Sequence, residues 1–531
     1  MVMAQGSPLW EKAGRLLCGL AWGALFGLAY AQAPLYTSNQ NQYFLHGLAQ
    51  AGRGYLRQDW LANTADPTPL FTGLVRLTAG LLDERLFYLY FLLLAAVYLH
   101  SLWGIADRLF GLSSSPGRSL FFLATFFVLH SAGLRIALGR YAGGGWEYLF
   151  DGGVAGQRLL GTVLQPSTFG VLLLLGVYQF LRGRPYWAAA AAAASALLHP
   201  TYLLCAAILV GSMVWLLYRR ERTLRLPLQA GGLALVLVLP ALVYNVSTFL
   251  PASPAALQIL VQIRLPEHAV IAEWFDPAAA VKLAMILLAI YLVRGSPLSG
   301  ILALGSAAAL LLTIVQLLTG SLSLALLFPW RITTYLVPLA TAVLAGWAAR
   351  SAADWLARGS RSRQPAGAGT GRADPNILRL ARLLGLAALA LSVVSGLAWS
   401  ALQFAQQRAD PARSVLAFVE SQQEPGQVYL IPPRLQDFRL VTGAPAMVDF
   451  KSIPYRGDQV LEWYDRLRLA ELIYRDRVEQ VNCERLADAA QEYGVTDLVL
   501  DEDLLALDCP GLQRLYADGS FAVASLELEA P

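Results

Sequence analysis

The stretch "YFLHGLAQAGRGYLRQDWLANTADPTP", residues 43–69, follows the first strongly apolar segment of the chain. Its arginines and aspartates make it too polar for the hydrocarbon region of a bilayer. Its aromatic and turn-forming residues are also too dense for a simple linker. Asp59 and Asp66 stand on either side of Trp60 and Asn63. We therefore expect an ordered loop at a membrane surface that carries two candidate acidic groups.

The composition indicates an integral membrane protein. Of the 531 residues, 56% are hydrophobic and 14% are charged, and the mean hydropathy is +0.50. A soluble domain typically has about 25% charged residues. The net charge of +4 is modest, and no run of five or more like charges points to nucleic-acid binding. The first apolar run, about 16–35, lacks a small-residue cleavage site, so we expect a retained helix rather than a signal peptide.

Apolar runs near the roughly 20 residues needed to cross a bilayer recur along the chain. The eleven runs centre on 16–35, 86–105, 119–136, 168–182, 186–200, 202–218, 227–245, 279–293, 299–318, 332–349 and 379–401. The sequence "LLHPTYLL" interrupts a long apolar stretch within 186–218. A tight turn is expected at His199-Pro200, because proline cannot continue a helix.

The distribution of basic residues predicts the orientation in the membrane. An inside N-terminus places "RRERTLR" (219–225) and the basic tract 350–382 in the cytoplasm, as the positive-inside rule requires. The loops 36–85 and 137–167 contain further arginines, but long loops translocate largely regardless of charge. We therefore predict an inner or plasma membrane protein with a cytoplasmic N-terminus. Everything after residue 402 would lie on the outer side.

The chain is expected to have three parts. Residues 1–405 form a transmembrane domain with a long first outer loop, 36–85. Residues 359–375, "GSRSRQPAGAGTGRADP", form a cytoplasmic linker before the last span. Residues 406–531 form a small extracytoplasmic α/β domain. In that domain we predict strands at 427–433, within 445–455, at 495–501 and at 521–528, and helices at 457–476 and 483–494, with Gly494 as a C-terminal cap.

The four cysteines fit this arrangement. Cys18 and Cys205 fall inside predicted spans, where a free thiol acts as a small apolar residue. Cys483 and Cys509 fall in the domain predicted to face an oxidising compartment. They are expected to form a disulfide worth about 3 kcal/mol. The alternative is two buried free thiols.

Polar and aromatic side chains gather in the loops predicted to face outward. Arginine makes forked contacts with phosphate oxygens, aromatic rings can stack on sugars, and a carboxylate can act as a general base. This inventory suits a lipid that bears phosphate and sugar. The candidate substrate-binding residues are Arg264, His268, Arg331, Trp60, Glu147, Asp151 and His199. No metal cluster or nucleotide-phosphate loop occurs in the sequence, so a divalent metal is not indicated.

Each candidate also has a structural interpretation. Arg331, beside Trp330, could be an interfacial anchor. Arg264 and His268 could belong to a solvated loop, and the Gly run before Glu147 could be a simple turn. In the C-terminal domain, Arg439, Asp449 and Lys451 could pair to hold the strands together or could bind an acceptor glycan.

The order of these features resembles the GT-C superfamily of polytopic membrane glycosyltransferases, which use polyprenyl-phosphate sugars. In that superfamily an inside-to-outside helix precedes a long outer loop with an acid, an amphipathic helix and a second acid before prolines. Here "NQYFLHGLAQAG" (41–52) corresponds to the amphipathic helix, and "QDW" with "DPTPLF" to the second acid and prolines. The apolar runs predict a helical polytopic membrane protein of about 11 transmembrane helices, which fits this superfamily. The resemblance implies transfer of a sugar from a polyprenyl phosphate to a glycan, lipid or protein acceptor at the outer face.

One position departs from the pattern of the superfamily. Where the first acid is expected, this sequence has "SNQNQ" (38–42), whose amides cannot take up a proton. The resemblance then leaves Asp59 as the catalytic base, with Asp66 as a weaker candidate. The structural alternative for Asp59 is a helix cap or a salt bridge with Arg53 or Arg57. Asp66 could be a helix cap before Pro67.

Two classes of function remain open on these grounds. The first is a membrane glycosyltransferase with a lipid-linked sugar as donor. The second is a non-catalytic lipid or polysaccharide carrier, or an assembly factor, with the same architecture. A secondary transporter would predict two related halves, and no such internal repeat is visible in the sequence.

Overall fold

A computed structural model describes residues 9–250, 253–361, 375–475 and 479–527. Long apolar helices dominate the first three quarters of the chain. They are α1 (Leu9–Tyr30), α2 (Pro69–Leu81), α3 (Leu86–Phe110), α4 (Pro116–His130), α5 (Ala132–Ala142), α6 (Val171–Leu181), α7 (Pro185–Leu198), α8 (Leu203–Glu221), α9 (Arg225–Phe249), α10 (Pro277–Leu292), α11 (Pro297–Thr319), α12 (Thr333–Arg361) and α13 (Pro375–Arg408).

Several of these helices are long and apolar enough to cross a bilayer. Among the described residues, six helical segments meet that criterion, and the pair α4 and α5, bent by 47°, would make a seventh. Helices α2, α7 and α10 are apolar but shorter. A 14-residue helix such as α7 rises only about 21 Å, against a hydrocarbon core of about 30 Å. The protein is an integral membrane protein.

Each of the eleven predicted spans coincides with a helix. The tight turn predicted at His199-Pro200 is present, because α7 ends at Leu198 and a 3₁₀ turn, Pro200–Tyr202, leads into α8. Helix α2 was not predicted as a span, since it lies within the predicted first outer loop. Most of the predicted linker 359–375, residues 362–374, lies outside the described residues.

The loop 36–85, predicted to be the first outer loop, is ordered and packs against the C-terminal domain. Its predicted amphipathic helix is divided into Gln40–Tyr43 and Leu45–Ala51, followed by 3₁₀ turns at Leu56–Gln58 and Leu61–Asn63. Tyr55 N–H donates to the carbonyl of Gly443 at 2.8 Å. The backbones approach so closely that a Cβ on Gly54 would lie 2.5 Å from the Gly443 oxygen. Gly54 also has a φ of +46°, which favours glycine.

The C-terminal domain is a four-stranded sheet between helices. The strands are β1 (Tyr429–Leu430), β2 (Asp497–Asp501), β3 (Leu512–Ala517) and β4 (Phe521–Leu526), in the order β1-β2-β4-β3. Strands β1 and β2 are parallel, and the other pairs are antiparallel. Helix α14 (Ala412–Gln422) covers one face of the sheet, and α15 (Gly457–Arg475) with α16 (Glu479–Tyr493) covers the other.

Most of the elements predicted for this domain are present. The predicted helices coincide with α15 and α16, and Gly494 closes α16 with a φ of +69°. The strand predicted within 445–455 is wrong, because this segment makes a single bridge, Tyr429 with Ala446. Beyond the bridge, the N–H groups of Lys451, Ser452 and Ile453 donate to side chains and not to a neighbouring strand. Helix α14 and strand β3 were not predicted. The disulfide between Cys483 and Cys509 is confirmed.

The predicted fold class is therefore confirmed. The chain is a helical polytopic membrane protein with a small α/β domain at its C-terminal end. The apolar core of the membrane helices extends into the first loop, where Phe44, Leu48 and Leu56 are buried with it. The loop quoted at the outset is thus the layer that joins the two parts of the molecule.

Candidate functional site

A polar chamber of about 260 Å³ lies where the membrane helices, the loops between them and the C-terminal domain meet. We call it the cationic chamber, because Arg158, Arg264, Arg331 and Lys451 line it. The carboxylate in its wall is that of Glu267. Four candidate residues from distant parts of the sequence, namely His199, Arg264, His268 and Arg331, are brought together here.

Arg331 is positioned by the turn between α7 and α8. Its Nη1 donates to Thr201 Oγ1 at 2.6 Å and lies 3.2 Å from His199 Nε2. Because a guanidinium only donates, His199 Nε2 is the acceptor and the ring proton is on Nδ1. Phe328, three residues before Arg331, also lines the chamber. It has a φ of +48°, which is a strained conformation for an aromatic residue. The surrounding side chains stabilise this conformation of Phe328, and they include the ring of His268.

Arg264 and Lys451 form the opposite wall. Arg264 ends a π-helical turn, Leu260–Arg264, and its Nη2 donates to the carbonyl of Lys451 at 2.8 Å. Single π turns frequently occur at functional sites. Burial, together with the nearby guanidinium of Arg264, lowers the pKa of Lys451 to about 8. The ammonium group is therefore charged at neutral pH and loses its charge under mildly alkaline conditions.

The chamber contains polar atoms that have no partner within the described part of the protein. Both amide atoms of Gln157, a residue that is only 6% exposed, make no hydrogen bond. The same is true of Ser167 Oγ, His199 Nδ1, Arg264 Nε and Arg331 Nε. Buried polar atoms are nearly always satisfied in folded proteins. A cluster of such atoms around one cavity indicates a site for a polar ligand.

An apolar groove of about 410 Å³ opens beside the chamber. It runs between α8, α9 and the segment 257–265 and is lined mostly by leucine, valine and phenylalanine side chains. The groove and the chamber share six lining residues, namely Tyr43, His199, Thr201, Leu265, Phe328 and Tyr455. A single ligand with an apolar tail and an anionic head could therefore occupy both.

His268 and Glu267 form a pair at the edge of the chamber. His268 Nδ1 lies 2.8 Å from the carbonyl oxygen of Ala155, which can only accept, so Nδ1 carries the proton. Burial lowers the pKa of His268, although Glu267 acts in the opposite sense, so the ring is neutral at pH 7. Its Nε2 lies 3.7 Å from Glu267 Oε1. The pair offers two proton acceptors that face the same space.

A second polar cavity of about 290 Å³ adjoins the cationic chamber. We call it the acidic chamber, because the carboxylates of Glu147, Glu267, Glu273 and Asp276 line it. Gln157, Arg158 and Glu267 belong to both chambers. Within the described residues, no group of three or more His, Cys, Asp or Glu side chains is placed to hold a metal ion.

The structure places Asp59 outside these cavities. Its side chain is completely buried, and its Oδ2 accepts from Arg439 Nε at 2.7 Å and from the Ala446 N–H at 2.9 Å. Its Oδ1 accepts from the N–H groups of Leu61 and Ala62. The ion pair is therefore with Arg439 and not with the expected Arg53 or Arg57. Arg439 also pairs with Asp449, as the structural alternative for that segment predicted.

The remaining predicted candidates lie around the chambers rather than in them. Trp60 Nε1 donates to the carbonyl of Met447, and its ring packs under Arg466. Asp66 Oδ1 accepts from the Thr68 N–H, and α2 begins at Pro69, so Asp66 is not the expected helix cap. Asp151 is buried and accepts from Tyr30 Oη at 2.6 Å.

The amide stretch "SNQNQ" takes two different roles. Ser38 and Asn39 line the cationic chamber, and Ser38 has a φ of +55°. Gln42 also lines the chamber, and its side chain bonds to both backbone groups of Ile453, donating at 2.8 Å and accepting at 2.6 Å. The stretch thus fixes the C-terminal domain over the chamber.

Sequence reasoning missed several lining residues as members of one site. Arg158, Glu267 and Gln157 are ordinary polar loop residues in the sequence, and Lys451 was weighed only for pairing or glycan binding. The available signal was indirect: Glu267 lies next to a candidate histidine, and Arg158 follows the Gly-rich segment 143–156. Only the tertiary structure brings these loops to one point.

Two solved structures are similar to the chain over nearly its whole length. ArnT from Cupriavidus metallidurans, solved bound to undecaprenyl phosphate, is 15% identical with a TM-score of 0.48, covering 97% of this chain and 98% of that chain. The archaeal oligosaccharyltransferase AglB from Archaeoglobus fulgidus, solved with an inhibitory peptide and a dolichol-phosphate, is 13% identical with a TM-score of 0.45, covering 98% of this chain and 75% of that chain.

No residue role is taken from either structure. Residues 411–470 match DUF6798, a domain of unknown function. This segment spans α14 to α15 and includes Arg439, Asp449 and Lys451. No curated protein matches the chain.

Proposed function

We propose that the protein binds a polyprenyl phosphate that carries a sugar and transfers the sugar to an acceptor at the outer face of the membrane. The observation that carries the proposal is the continuity between the apolar groove and the cationic chamber. The groove suits an isoprenoid tail, and the adjoining Arg158, Arg264, Arg331 and Lys451 suit a phosphate. The ligands bound in the two similar structures, undecaprenyl phosphate and a dolichol-phosphate, belong to this class.

The unpartnered Nε atoms of Arg264 and Arg331 support the same assignment. Each guanidinium already uses one terminal nitrogen to hold the wall of the chamber. The Nε atoms remain as donors without a protein acceptor. A phosphate in the chamber would supply the missing acceptor oxygens. It would also offset the cost of holding several cations close together.

The transfer step can be written for the residues in the chamber. An acceptor hydroxyl oxygen attacks the anomeric carbon of the sugar, and the bond from that carbon to the phosphate oxygen breaks. The polyprenyl phosphate leaves with the bonding electrons, stabilised by the arginines, and the anomeric centre is inverted. The hydroxyl proton goes to the pair Glu267 and His268. Asp59 then serves to dock the loop, since its oxygens are engaged by Arg439 and backbone N–H groups.

Lipid binding is tested with farnesyl phosphate and farnesol added to the purified protein, using native mass spectrometry. We expect farnesyl phosphate to bind and farnesol to bind more weakly. The variants Arg264→Gln and Arg331→Gln should each lower affinity for farnesyl phosphate about tenfold or more, because charge-assisted hydrogen bonds contribute about 1.5–3 kcal/mol. Arg294→Gln, which changes an exposed arginine at the other end of the bundle, is the matched control. Equal binding of both lipids would reject the phosphate assignment.

Transfer is tested separately with a labelled polyprenyl-phosphate sugar in membranes. Glu267→Gln should lower transfer about 10²- to 10⁴-fold, the usual contribution of a general base, while lipid-phosphate affinity is retained.

A specific observation favours a second candidate, a non-catalytic lipid carrier: Asp59 is fully engaged, and amides occupy residues 39–42. Binding of the lipid without sugar transfer from any labelled donor would support the carrier.

A further inference from the structure

The acidic chamber has a composition that differs from that of the cationic chamber beside it. Four carboxylates, Glu147, Glu267, Glu273 and Asp276, line it together with two cations, Arg158 and Lys282. Lys282 Nζ donates to the carbonyl of Gly153 at 3.1 Å, so it is held against the wall. The chamber therefore carries a net negative charge next to a strongly positive one.

Several of these groups are available to a ligand. The carboxylates of Glu147 and Glu273 make no hydrogen bond and no ion pair with other residues in the described parts of the chain. Asp276 uses only Oδ1 of its carboxylate, which accepts from the Ala279 N–H at 2.7 Å. Gln157, buried and with both amide atoms unpartnered, forms part of the boundary between the two chambers. A buried amide without partners at this boundary is an independent sign of a polar ligand.

Aromatic rings complete the wall. Trp274 is buried and packs against Trp330 with ring centroids 5.7 Å apart. The guanidinium of Arg158 lies 3.9 Å from the ring centroid of Tyr148. This contact holds the cation at the boundary between the two chambers. Arg158 can thus contact a phosphate on one side while the group attached to that phosphate enters the acidic chamber.

We infer that the acidic chamber is the subsite for the sugar and that it selects a sugar bearing an amino group over a neutral or acidic one. This inference rests on the proposed function, since it assigns the phosphate to the cationic chamber. Carboxylates accept hydrogen bonds from hydroxyl groups and form charge-assisted bonds with an ammonium group. They repel the carboxylate of a uronic acid.

Three synthetic donors that differ in the sugar alone provide the test. They are farnesyl phosphate linked to glucosamine, to glucose and to glucuronic acid, with bare farnesyl phosphate as the reference. Native mass spectrometry of the full chain should give the highest affinity for the glucosamine donor and the lowest for the glucuronic acid donor, about tenfold or more apart. The double variant Glu147→Gln with Glu273→Gln should bring the three affinities within about twofold of one another and leave bare farnesyl phosphate unchanged.

Controls separate the inference from the proposed function. Glu420→Gln, an exposed glutamate of α14 remote from both chambers, should keep the wild-type order. If the double variant unfolds early in a thermal scan, Glu273→Gln alone replaces it, because Glu273 is exposed. Equal affinities in the wild type, or an unchanged order in the glutamine variant, would overturn the sugar subsite while bare farnesyl phosphate still binds. Failure of bare farnesyl phosphate to bind would reject the proposed function and, with it, the subsite.

Discussion

The charge of the cationic chamber depends on pH because Lys451 lines it and has a lowered pKa. Its pKa is lowered to about 8, first by burial and then by the guanidinium of Arg264. A lowered pKa means that the ammonium form predominates below pH 8 and the neutral amine above it. An anion binds the ammonium form better, so affinity for a phosphate should be full below pH 8 and fall as the pH rises through that value.

The measurement is farnesyl phosphate affinity between pH 7 and pH 9.5. This range lies above the second pKa of a phosphate monoester, about 6, so the ligand charge stays constant. We expect affinity to fall above pH 8 by up to tenfold per pH unit, the limit for one titrating proton. Lys451→Gln should bind more weakly at pH 7 and show a flat profile. A wild-type profile that is already flat would contradict this role for Lys451.

We expect a change of Asp59 to affect stability and not ligand binding, because its partner is the buried Arg439. Removing one member of a buried ion pair leaves an uncompensated charge and costs about 3–5 kcal/mol. Asp59→Asn should therefore lower the free energy of unfolding by roughly that amount, with farnesyl phosphate affinity unchanged at temperatures where the variant is folded. Arg439→Met should be similarly costly, and the double variant should lose less than the two losses combined, since the residues interact directly. Additive losses would show that the pair is not the source of the effect.

At the scale of elements, the contact between the first loop and the C-terminal domain depends on two glycines. Gly54 and Gly443 touch backbone to backbone, and both have positive φ. Gly54→Ala should weaken the docking and expose the domain to protease, with a stability loss of about 1–3 kcal/mol typical of overpacking. Gly73→Ala is the control, since nothing lies within 4 Å of its Cβ position in α2. Equal protease sensitivity in the two variants would contradict the contact.

The disulfide between α16 and the segment before β3 should stabilise the same domain. Cys483 and Cys509 are 26 residues apart, and closing a loop of this length contributes about 3 kcal/mol in the chain-entropy account. Reduction, or Cys483→Ser with Cys509→Ser, should lower the unfolding temperature of the C-terminal domain, followed by the fluorescence of the buried Trp463. No change on reduction would show that the domain is held by its apolar layers alone.

The sequence patterns that could be read correctly are local ones. Apolar runs located the membrane helices, and period and capping residues located α15, α16 and Gly494. Strand β3 was missed because its residues are mostly exposed or half-buried, which leaves no alternation to detect. The segment 445–455 was mistaken for a strand because its apolar residues are buried by loop contacts rather than by pairing.

The sequence could identify some of the residues of the candidate site, but it could not show how they are arranged. Arg264, His268, Arg331 and His199 were identified because they lie in segments predicted to face outward, where arginine could bind the phosphate of a lipid. Asp59 could not be distinguished from a base, since its partner Arg439 lies 380 residues away in the sequence. Glu267 and Arg158 become members of the site only when three loops and the C-terminal domain converge.

At the scale of the whole molecule, the chamber needs both parts of the chain. His199 and Arg331 come from the ends of membrane helices, whereas Lys451, Ile453 and Tyr455 come from the C-terminal domain. All of these groups must therefore lie on the same side of the membrane. The distribution of arginines predicts that this side is the outer one, and the proposed acceptor would have to be available there.

Labelling of single cysteines in intact cells tests this orientation. In a Cys18→Ser background, Glu420→Cys places a thiol on the exposed surface of α14, and Arg184→Cys places one in the loop between α6 and α7. A membrane-impermeant maleimide should label Glu420→Cys in intact cells and Arg184→Cys only after the cells are broken. Both positions are exposed, so accessibility within the protein does not explain a difference. Labelling of Arg184→Cys alone in intact cells would place the cationic chamber on the cytoplasmic side, and sugar transfer at the outer face would then be impossible for this protein.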